Sequence, residues 1–306
     1  MTAIAQSPSP PALPSRTPER ILHRLEWRVV RRLDGQLQGD YRTLFFGDGL
    51  DFAGLREYQA EDDVRHIDWN ATARMDVPYV REHIDDRELT AWMLLDRSPS
   101  MAFGSEERPK GLVLTELVAT LSRLLTRRGN RVGAMLYTDR VERTIPPSGG
   151  RNQVLRLAQE LLREPAATRA STALNGLVMA ALDTIKRRSL VFLISDFISE
   201  PGWEGPLSLL ARKHDVVAVR LWDRREVELP DAGVIVMEDA ETGEQLLVDT
   251  GDPVFRQRFA ALAAEREGSL RASFSRAGVD LFDVGTDEDL VVALVRMAER
   301  RKKRRQ

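Results

Sequence analysis

The stretch LLDRSPSMAFG, residues 94–104, decides the fold. The apolar run LTAWMLLD predicts a buried strand that ends at Asp96, and Ser98 and Ser100 follow at a spacing of two. Ligands of open α/β sheets bind beyond the carboxyl ends of the strands. The sequence therefore places one carboxylate and two hydroxyl groups where a binding site is expected.

From Glu88 to the end of the chain, apolar strands alternate with helices. The segment PKGLVLTELVATLSRLLTRRGN, for example, has Pro109 near its start and Gly129 after its end, as expected of a helix. This alternation predicts parallel strands joined by right-handed crossovers, and so a doubly wound, mostly parallel α/β sheet with helices on both faces. The predicted strands of this sheet are LTAWMLLD, RVGAMLYTD, SLVFLISD, DVVAVRLWD and VDLFDVG.

The sequence divides into four parts by composition. Residues 1–19 are rich in proline and serine and are predicted to be disordered, because they have little to bury. Residues 20–87 form an N-terminal extension that is β-rich or irregular, and residues 88–299 form the α/β domain. The basic tail, residues 300–306, suits the carboxyl end of a helix, or else an anionic partner.

Composition excludes several classes of function. The 306 residues carry a net charge of -2, which makes nucleic-acid binding by the chain as a whole unlikely, and they contain no cysteine for a disulfide, a thiolate metal site or a nucleophile. No apolar stretch approaches the length of a membrane span, and the opening residues do not resemble a secretory leader. We expect a cytoplasmic protein.

Oxygen-bearing side chains elsewhere in the chain are predicted to complete a metal site. Asp96, Ser98 and Ser100 follow one strand, Asp196 follows another, and Thr172 lies where a helix begins. Hard cations such as Mg²⁺ prefer oxygen ligands, although Mn²⁺ or Ca²⁺ could substitute. A site with so few negative charges would leave a coordination position open for a carboxylate of a partner.

Each member of this set also has a purely structural interpretation. Asp96 could cap the turn after its strand, and Asp196 could cap the helix that begins near Pro201. Ser171 or Thr172 could be the N-cap of the following helix. These alternatives and the metal site are compatible in part, because one oxygen can serve both roles.

Asp-x-Ser-x-Ser after a buried strand, a distant threonine and a strand-end aspartate resemble the metal-ion-dependent adhesion site (MIDAS) of von Willebrand factor A domains. Over residues 39–285 the chain resembles the bacterial DUF58 family, whose core is of this type. The segments that carry this resemblance are GLREYQAEDDVRHIDWNATAR, LLDRSPSM, LISDF, HDVVAVRLWD and DAETGEQLLVD.

The resemblance implies roles for these residues and a partner. Asp96, Ser98 and Ser100 would form the first metal loop, Thr172 the second and Asp196 the third. The family often neighbours MoxR-type AAA+ ATPases, which implies a non-enzymatic adaptor that works with such an ATPase in protein assembly or maturation. Many members carry membrane helices near the N-terminus, which this sequence lacks.

An enzymatic alternative rests on the charged block EDDVRHIDWNATAR. Asp62, Asp63, His66 and Asp68 could ligate a metal in a hydrolase. The same block could instead be an ion-paired network with the arginines Arg56, Arg65 and Arg74.

Two further activities find no support in the sequence. A serine nucleophile lacks its G-x-S-x-G context. A nucleotide site is not expected, because no Gly-Lys-Ser/Thr follows the glycines at Gly47, Gly49 and Gly54.

Overall fold

The computed structural model describes residues 17, 19, 23, 55–59, 64, 67, 69–75, 77–81, 89–104, 108–165, 173–239 and 243–305. Apart from residues 17 and 19, the segment 1–19 that was predicted to be disordered lies outside this set, as does much of the extension predicted for residues 20–87. Within the described part of the extension, a short strand pairs antiparallel with a second one, Leu55 opposite Arg81, and a helix lies between them in the sequence.

The strands are β1 (Leu55–Glu57), β2 (Tyr79–Arg81), β3 (Thr90–Asp96), β4 (Arg131–Tyr137), β5 (Val141–Ser148), β6 (Leu190–Ser195), β7 (Asp215–Trp222), β8 (Val234–Glu238), β9 (Gln245–Asp249) and β10 (Asp280–Gly285). The helices are α1 (Trp69–Met75), α2 (Lys110–Thr126), α3 (Gly150–Leu161), α4 (Leu174–Thr184), α5 (Glu204–Lys213), α6 (Pro253–Ala277) and α7 (Leu290–Arg305). Short 3₁₀ helices follow β3 and β7, at Pro99–Ala102 and Arg224–Glu226.

Six strands form the central sheet in the order β10-β7-β6-β3-β4-β5. All neighbours are parallel except β5, which pairs antiparallel with β4 at one edge. The predicted doubly wound, mostly parallel sheet is confirmed. This three-layer arrangement is the one that the resemblance to von Willebrand factor A domains implies.

The side chains of each central strand alternate between two apolar cores. In β3, Met93 and Leu95 pack into the core beneath α2, α3 and α7, whereas Trp92 and Leu94 pack into the core beneath α4 and α5. This alternation follows from the period of two in a strand. Since both faces of β3 and β6 are covered, these central strands are almost entirely apolar, as in other buried parallel sheets.

Between β7 and β10 the chain forms a separate pair of strands, β8 and β9, and the long helix α6. β8 and β9 form an antiparallel pair. The helix α6 begins where the Asp252 carboxylate accepts a hydrogen bond from the Val254 amide at 2.8 Å, and it ends at Gly278, whose φ of 70° is readily adopted by glycine.

The last helix, α7, runs as far as Arg305 and includes the basic segment from residue 300, which the sequence analysis placed at the carboxyl end of a helix. Arg301 is buried and contacts both carboxylate oxygens of Asp215 at 2.8 Å. This ion pair fixes the end of α7 against the amino end of β7. Among the described residues, no helix combines the length and apolar character of a membrane span.

Candidate functional site

The candidate site lies at the carboxyl edge of the sheet, where β3 and β6 end side by side. Leu95 pairs with Ile194, which puts Asp96 level with Ser195. Asp196 is the residue after Ser195, so both aspartates lie at the same edge of the sheet. Ser98 and Ser100 lie in the turn after β3, and both are buried. The structure therefore brings together four of the five residues that the sequence singled out.

The Asp96 carboxylate is fully buried and held by two hydrogen bonds. One oxygen accepts from the Ser98 amide at 2.8 Å, and the other accepts from the Ser195 hydroxyl at 2.6 Å. The hydroxyl oxygens of Ser98 and Ser100 lie 3.0 Å apart. The loop thus folds so that a carboxylate and two hydroxyl groups share one small volume.

The electrostatic environment makes this carboxylate costly to ionise. Burial raises the pKa of Asp96 to about 7, with a further contribution from the charge of Asp196, and the hydrogen bonds from Ser195 and Ser98 only partly oppose the rise. A cation at this place would stabilise the ionised form.

Asp196 is held by the backbone on one side and by a lysine on the other. Its Oδ1 accepts from the Ile198 amide at 3.0 Å, and its Oδ2 accepts from the Lys110 ammonium at 2.6 Å. Phe197 lies between Asp196 and Ile198 in the sequence. Its φ of 58° is a left-handed conformation that non-glycine residues seldom adopt. Its amide donates to the Ser195 hydroxyl at 2.8 Å, which fixes the turn.

The sequence alternative in which Asp196 caps the next helix is wrong. Helix α5 begins at Glu204, and its N-cap is Trp203, which makes no side-chain capping hydrogen bond. Asp196 instead folds its carboxylate back toward α2, because Lys110 is there to neutralise it.

Lys110 is the first residue of α2, and its side chain is completely buried. A cation is disfavoured both by burial and by the positive end of a helix. Two carboxylates offset this cost, because the ammonium also contacts Glu226 in the turn after β7. Burial alone would lower the pKa of Lys110, but Asp196 and Glu226 raise it above its ordinary value.

Thr172, predicted to supply the second metal loop, lies outside the described residues, as does Ser171. Neither is the N-cap of α4: that helix begins at Leu174 and its N-cap is Ala173, which makes no side-chain capping hydrogen bond. The backbone just after Thr172 is positioned from β4, because the Tyr137 hydroxyl lies within hydrogen-bonding distance of the Ala173 carbonyl, 2.8 Å.

The donor set fits a hard divalent cation in part. Asp96, Ser98 and Ser100 offer the oxygen ligands that Mg²⁺ prefers. Across the described part of the chain there is no group of three or more acidic, histidine or cysteine side chains that could hold a metal, so the hydroxyl groups are essential to the fit. Asp196 fits only if its oxygen leaves Lys110.

The alternative cluster in the charged block cannot be located. Asp62, Asp63, His66 and Asp68 all lie outside the described residues. The hydrolase interpretation built on them therefore stays a prediction from sequence.

Three residues of the site were not singled out by the sequence analysis, namely Ser195, Lys110 and Glu226. Ser195 could have been found, since it ends a strand beside Asp96. Glu226 belongs to a capping box with Asp223, a spacing that is visible in the sequence as DRRE. Lys110 gave only a weak signal, a lysine at the start of an otherwise apolar helix.

Comparison with known proteins gives a family and several relatives. Residues 54–269 match the family model described as "Protein of unknown function DUF58". An uncharacterized protein of Mycobacterium tuberculosis is 34% identical over 289 residues, which cover 92% of this chain and 89% of that protein. An uncharacterized protein of Mycobacterium bovis matches equally well.

Solved structures show only a distant likeness. The conserved hypothetical protein BatB from Bacteroides thetaiotaomicron has 14% identity and a TM-score of 0.47, covering 71% of this chain and 100% of that one. An aerotolerance-related membrane protein from Bacteroides fragilis has 13% identity and a TM-score of 0.48, covering 70% and 99%. Both TM-scores are low, so the interpretation of the site rests on this chain's own residues.

Proposed function

Because the chain belongs to the DUF58 family, described as proteins of unknown function, we propose a function from the site itself: the protein is a non-enzymatic adaptor that binds a protein partner through a divalent cation. The cation would be held at the carboxyl edge of the sheet by Asp96, Ser98 and Ser100. Thr172 and Asp196 would complete this MIDAS-type site.

One observation carries the proposal. The Asp-x-Ser-x-Ser loop folds into a buried turn in which two hydroxyl oxygens lie 3.0 Å apart beside a buried carboxylate. When bound, Mg²⁺ would supply an electrophilic centre that accepts a carboxylate oxygen from outside. The protein's own residues would hold the cation, exclude water from its inner side and leave its outer side open.

The geometry of the serines supports binding in preference to catalysis. Ser98 and Ser100 contact each other, and Ser195 contacts Asp96, so among the described residues these hydroxyl groups interact with one another and with a carboxylate and not with a histidine. His214, one of the described histidines, precedes β7 and lies at the opposite edge of the sheet. A serine nucleophile would need such a base within hydrogen-bonding distance.

The partner is proposed from the family resemblance. A MoxR-type AAA+ ATPase, or a client of that ATPase, would present an aspartate or glutamate to the cation, and the pair would act in protein assembly or maturation. The proposal places this encounter in the cytoplasm.

The test is a binding assay between the purified chain and the purified MoxR-type ATPase of the same organism. We expect binding in Mg²⁺, loss of binding in EDTA and recovery when Mg²⁺ is restored. Asp96→Ala should weaken binding by at least about tenfold, because it removes the one charged ligand that is not paired to a lysine.

A matched control is Asp183→Ala, which removes a carboxylate from α4 away from the turn after β3. This variant should bind like the unmodified protein. A complex that survives EDTA and Asp96→Ala would show that the partner docks without a metal, and the proposal would be wrong.

A further inference from the structure

We infer that Lys110 is a tethered internal cation that neutralises Asp196 in the metal-free protein, and that a divalent cation gains this carboxylate only by displacing the lysine. The inference rests on the proposed metal site and adds to it a built-in competitor. Lys110 would thereby set how tightly the site holds a metal.

The first step is the position of the ammonium. Its Nζ lies 2.6 Å from an Asp196 oxygen, and the Asp196 and Lys110 side chains are 1% and 0% exposed. Solvent therefore cannot neutralise either group, and each depends on the other. A metal ligand in the same place would need that oxygen free.

The second step is the count of charges. Asp196 and Glu226 are two carboxyl groups in contact with one ammonium, and Asp96 lies close enough to Asp196 for their two charges to interact. The cluster is therefore short of positive charge even with Lys110 in place. An incoming divalent cation would be attracted by the surplus negative charge of the carboxylates and repelled by the lysine ammonium. The balance between this attraction and this repulsion decides the affinity of the site for the metal.

The Lys110 ammonium has other contacts that it can keep when it leaves Asp196. Its ammonium contacts Glu226, which is 18% exposed, as well as Asp196. It also lies 5.8 Å from the centre of the Phe103 ring, within the range of a cation–π contact. On leaving Asp196, the ammonium keeps one carboxylate and an aromatic face, so its release does not strand a buried charge.

The consequence is an exchange of cations. The hydrogen bond between Lys110 and Asp196 joins the turn after β6 to the start of α2. With a divalent cation bound, Asp196 would turn to the metal and Lys110 to Glu226. The affinity measured for a metal thus includes the cost of breaking the Lys110–Asp196 pair.

The experiment measures Mn²⁺ binding by calorimetry or by electron paramagnetic resonance of free Mn²⁺, with no partner present. Lys110→Met removes the charge and keeps an unbranched side chain. We expect Lys110→Met to bind Mn²⁺ at least about tenfold more tightly than the unmodified protein, because a competing unit charge has been removed.

The matched control is Arg301→Met. It removes another buried cation paired to a carboxylate, Asp215, at the opposite edge of the sheet. Arg301→Met should leave the Mn²⁺ affinity unchanged within about twofold. A tighter site in both variants would mean that affinity follows net charge or loosened packing, and the inference would be overturned.

If Lys110→Met does not fold, the double variant Lys110→Met/Glu226→Gln replaces it. This pair removes one positive and one negative charge together, so the net charge is kept while Asp196 is released. It should still bind Mn²⁺ more tightly than the unmodified protein. An unchanged affinity would overturn the inference.

The outcomes separate this inference from the proposed function. Equal, measurable Mn²⁺ affinity with and without Lys110 overturns the inference and leaves metal-dependent docking standing. Binding only in the Lys110 variants supports the inference and contradicts metal-dependent docking by the unmodified chain. No binding in any variant overturns both.

Discussion

At the amino end of β7, Arg301 contacts both oxygens of Asp215, and at the carboxyl edge of the same sheet Lys110 contacts Asp196 and Glu226. The two cations are almost equally buried, but their partners differ. Asp215 is 33% exposed, whereas Asp196 is 1% exposed. At the amino end the buried arginine contacts a partly solvated carboxylate, whereas at the carboxyl edge the buried lysine contacts two carboxylates, of which Asp196 is itself buried.

This difference separates a structural ion pair from a binding site. A balanced pair at the surface of the core fixes a helix and needs nothing else. A buried cluster with surplus negative charge is stable only with hydrogen bonds, a raised pKa or an added cation. Asp96 shows the first two, since it accepts two hydrogen bonds and has a pKa raised to about 7.

The largest test of this comparison removes each cation in turn in the absence of divalent metal. Lys110→Met should reduce the free energy of unfolding by about 3–5 kcal/mol, because it leaves the buried Asp196 carboxylate without its cation. Arg301→Met should cost less, about 1–3 kcal/mol, since water can reach Asp215. Urea unfolding at pH 7 with EDTA measures both.

The order of the two losses is what matters. Equal losses would show that the exposure of the carboxylate partner does not decide the cost, and the contrast between the two edges would disappear. Added Mn²⁺ should return part of the stability of Lys110→Met and none of that of Arg301→Met.

A second test compares how tightly a glycine is packed at the carboxyl edge of the sheet with how tightly one is packed in the long helix α6. A Cβ on Gly176 would lie 2.4 Å from the Tyr137 hydroxyl oxygen, which is itself within hydrogen-bonding distance of the Ala173 carbonyl. Gly176→Ala should therefore destabilise the protein by about 1–3 kcal/mol. Thermal unfolding of Gly176→Ala and of the matched variant in α6, Gly268→Ala, measures the difference in stability.

Gly268 in α6 is the matched position. A Cβ there would meet no atom within 4 Å. Gly268→Ala should stabilise the protein by about 0.5–1 kcal/mol, the ordinary gain in a helix interior. If Gly176→Ala were also stabilising, Tyr137 would not be held tightly against α4.

Most of the fold could be predicted from the sequence because its strands are buried on both faces. The apolar runs AWMLL and LVFLI, residues 91–95 and 190–194, are followed directly by the polar residues Asp96 and Ser195, which indicates both the strand and its carboxyl edge. The turn after Asp96 could also be predicted, because Asp and Ser favour hydrogen bonds to nearby backbone amides. The burial of Arg301 was not predicted, because RRKKRR contains no apolar residue that would mark a buried position.

The electrostatics of the site could not be predicted in the same way. The Lys110–Asp196 contact joins residues 86 positions apart, and Glu226 lies 116 positions from Lys110. No local pattern encodes such a pairing, which depends on the first residue of α2 lying beside the turn that follows β6. Thr172 and the acidic residues of the charged block stay predictions, because they lie outside the described residues.

The smallest expected effect is at the amino end and depends on pH. His214 is buried, and neither of its ring nitrogens has a hydrogen-bond partner in the described structure. Burial lowers the pKa of His214, and the neighbouring cations Lys213 and Arg188 lower it further. The folded protein therefore keeps the ring neutral while the unfolded chain takes up a proton below about pH 6.5.

The sign of the effect follows from proton binding. Since the unfolded chain binds more protons, the stability associated with the neutral ring is complete above about pH 6.5 and is lost as the pH falls toward the lowered pKa. His214→Leu removes this loss, so its stability relative to the unmodified protein should rise by about 1 kcal/mol between pH 7 and pH 5. Urea unfolding at several pH values measures the difference, and a difference that does not vary with pH would mean that His214 is already charged or solvated in the folded protein. In that case the amino end, like the carboxyl edge, would hold a charge without a full partner.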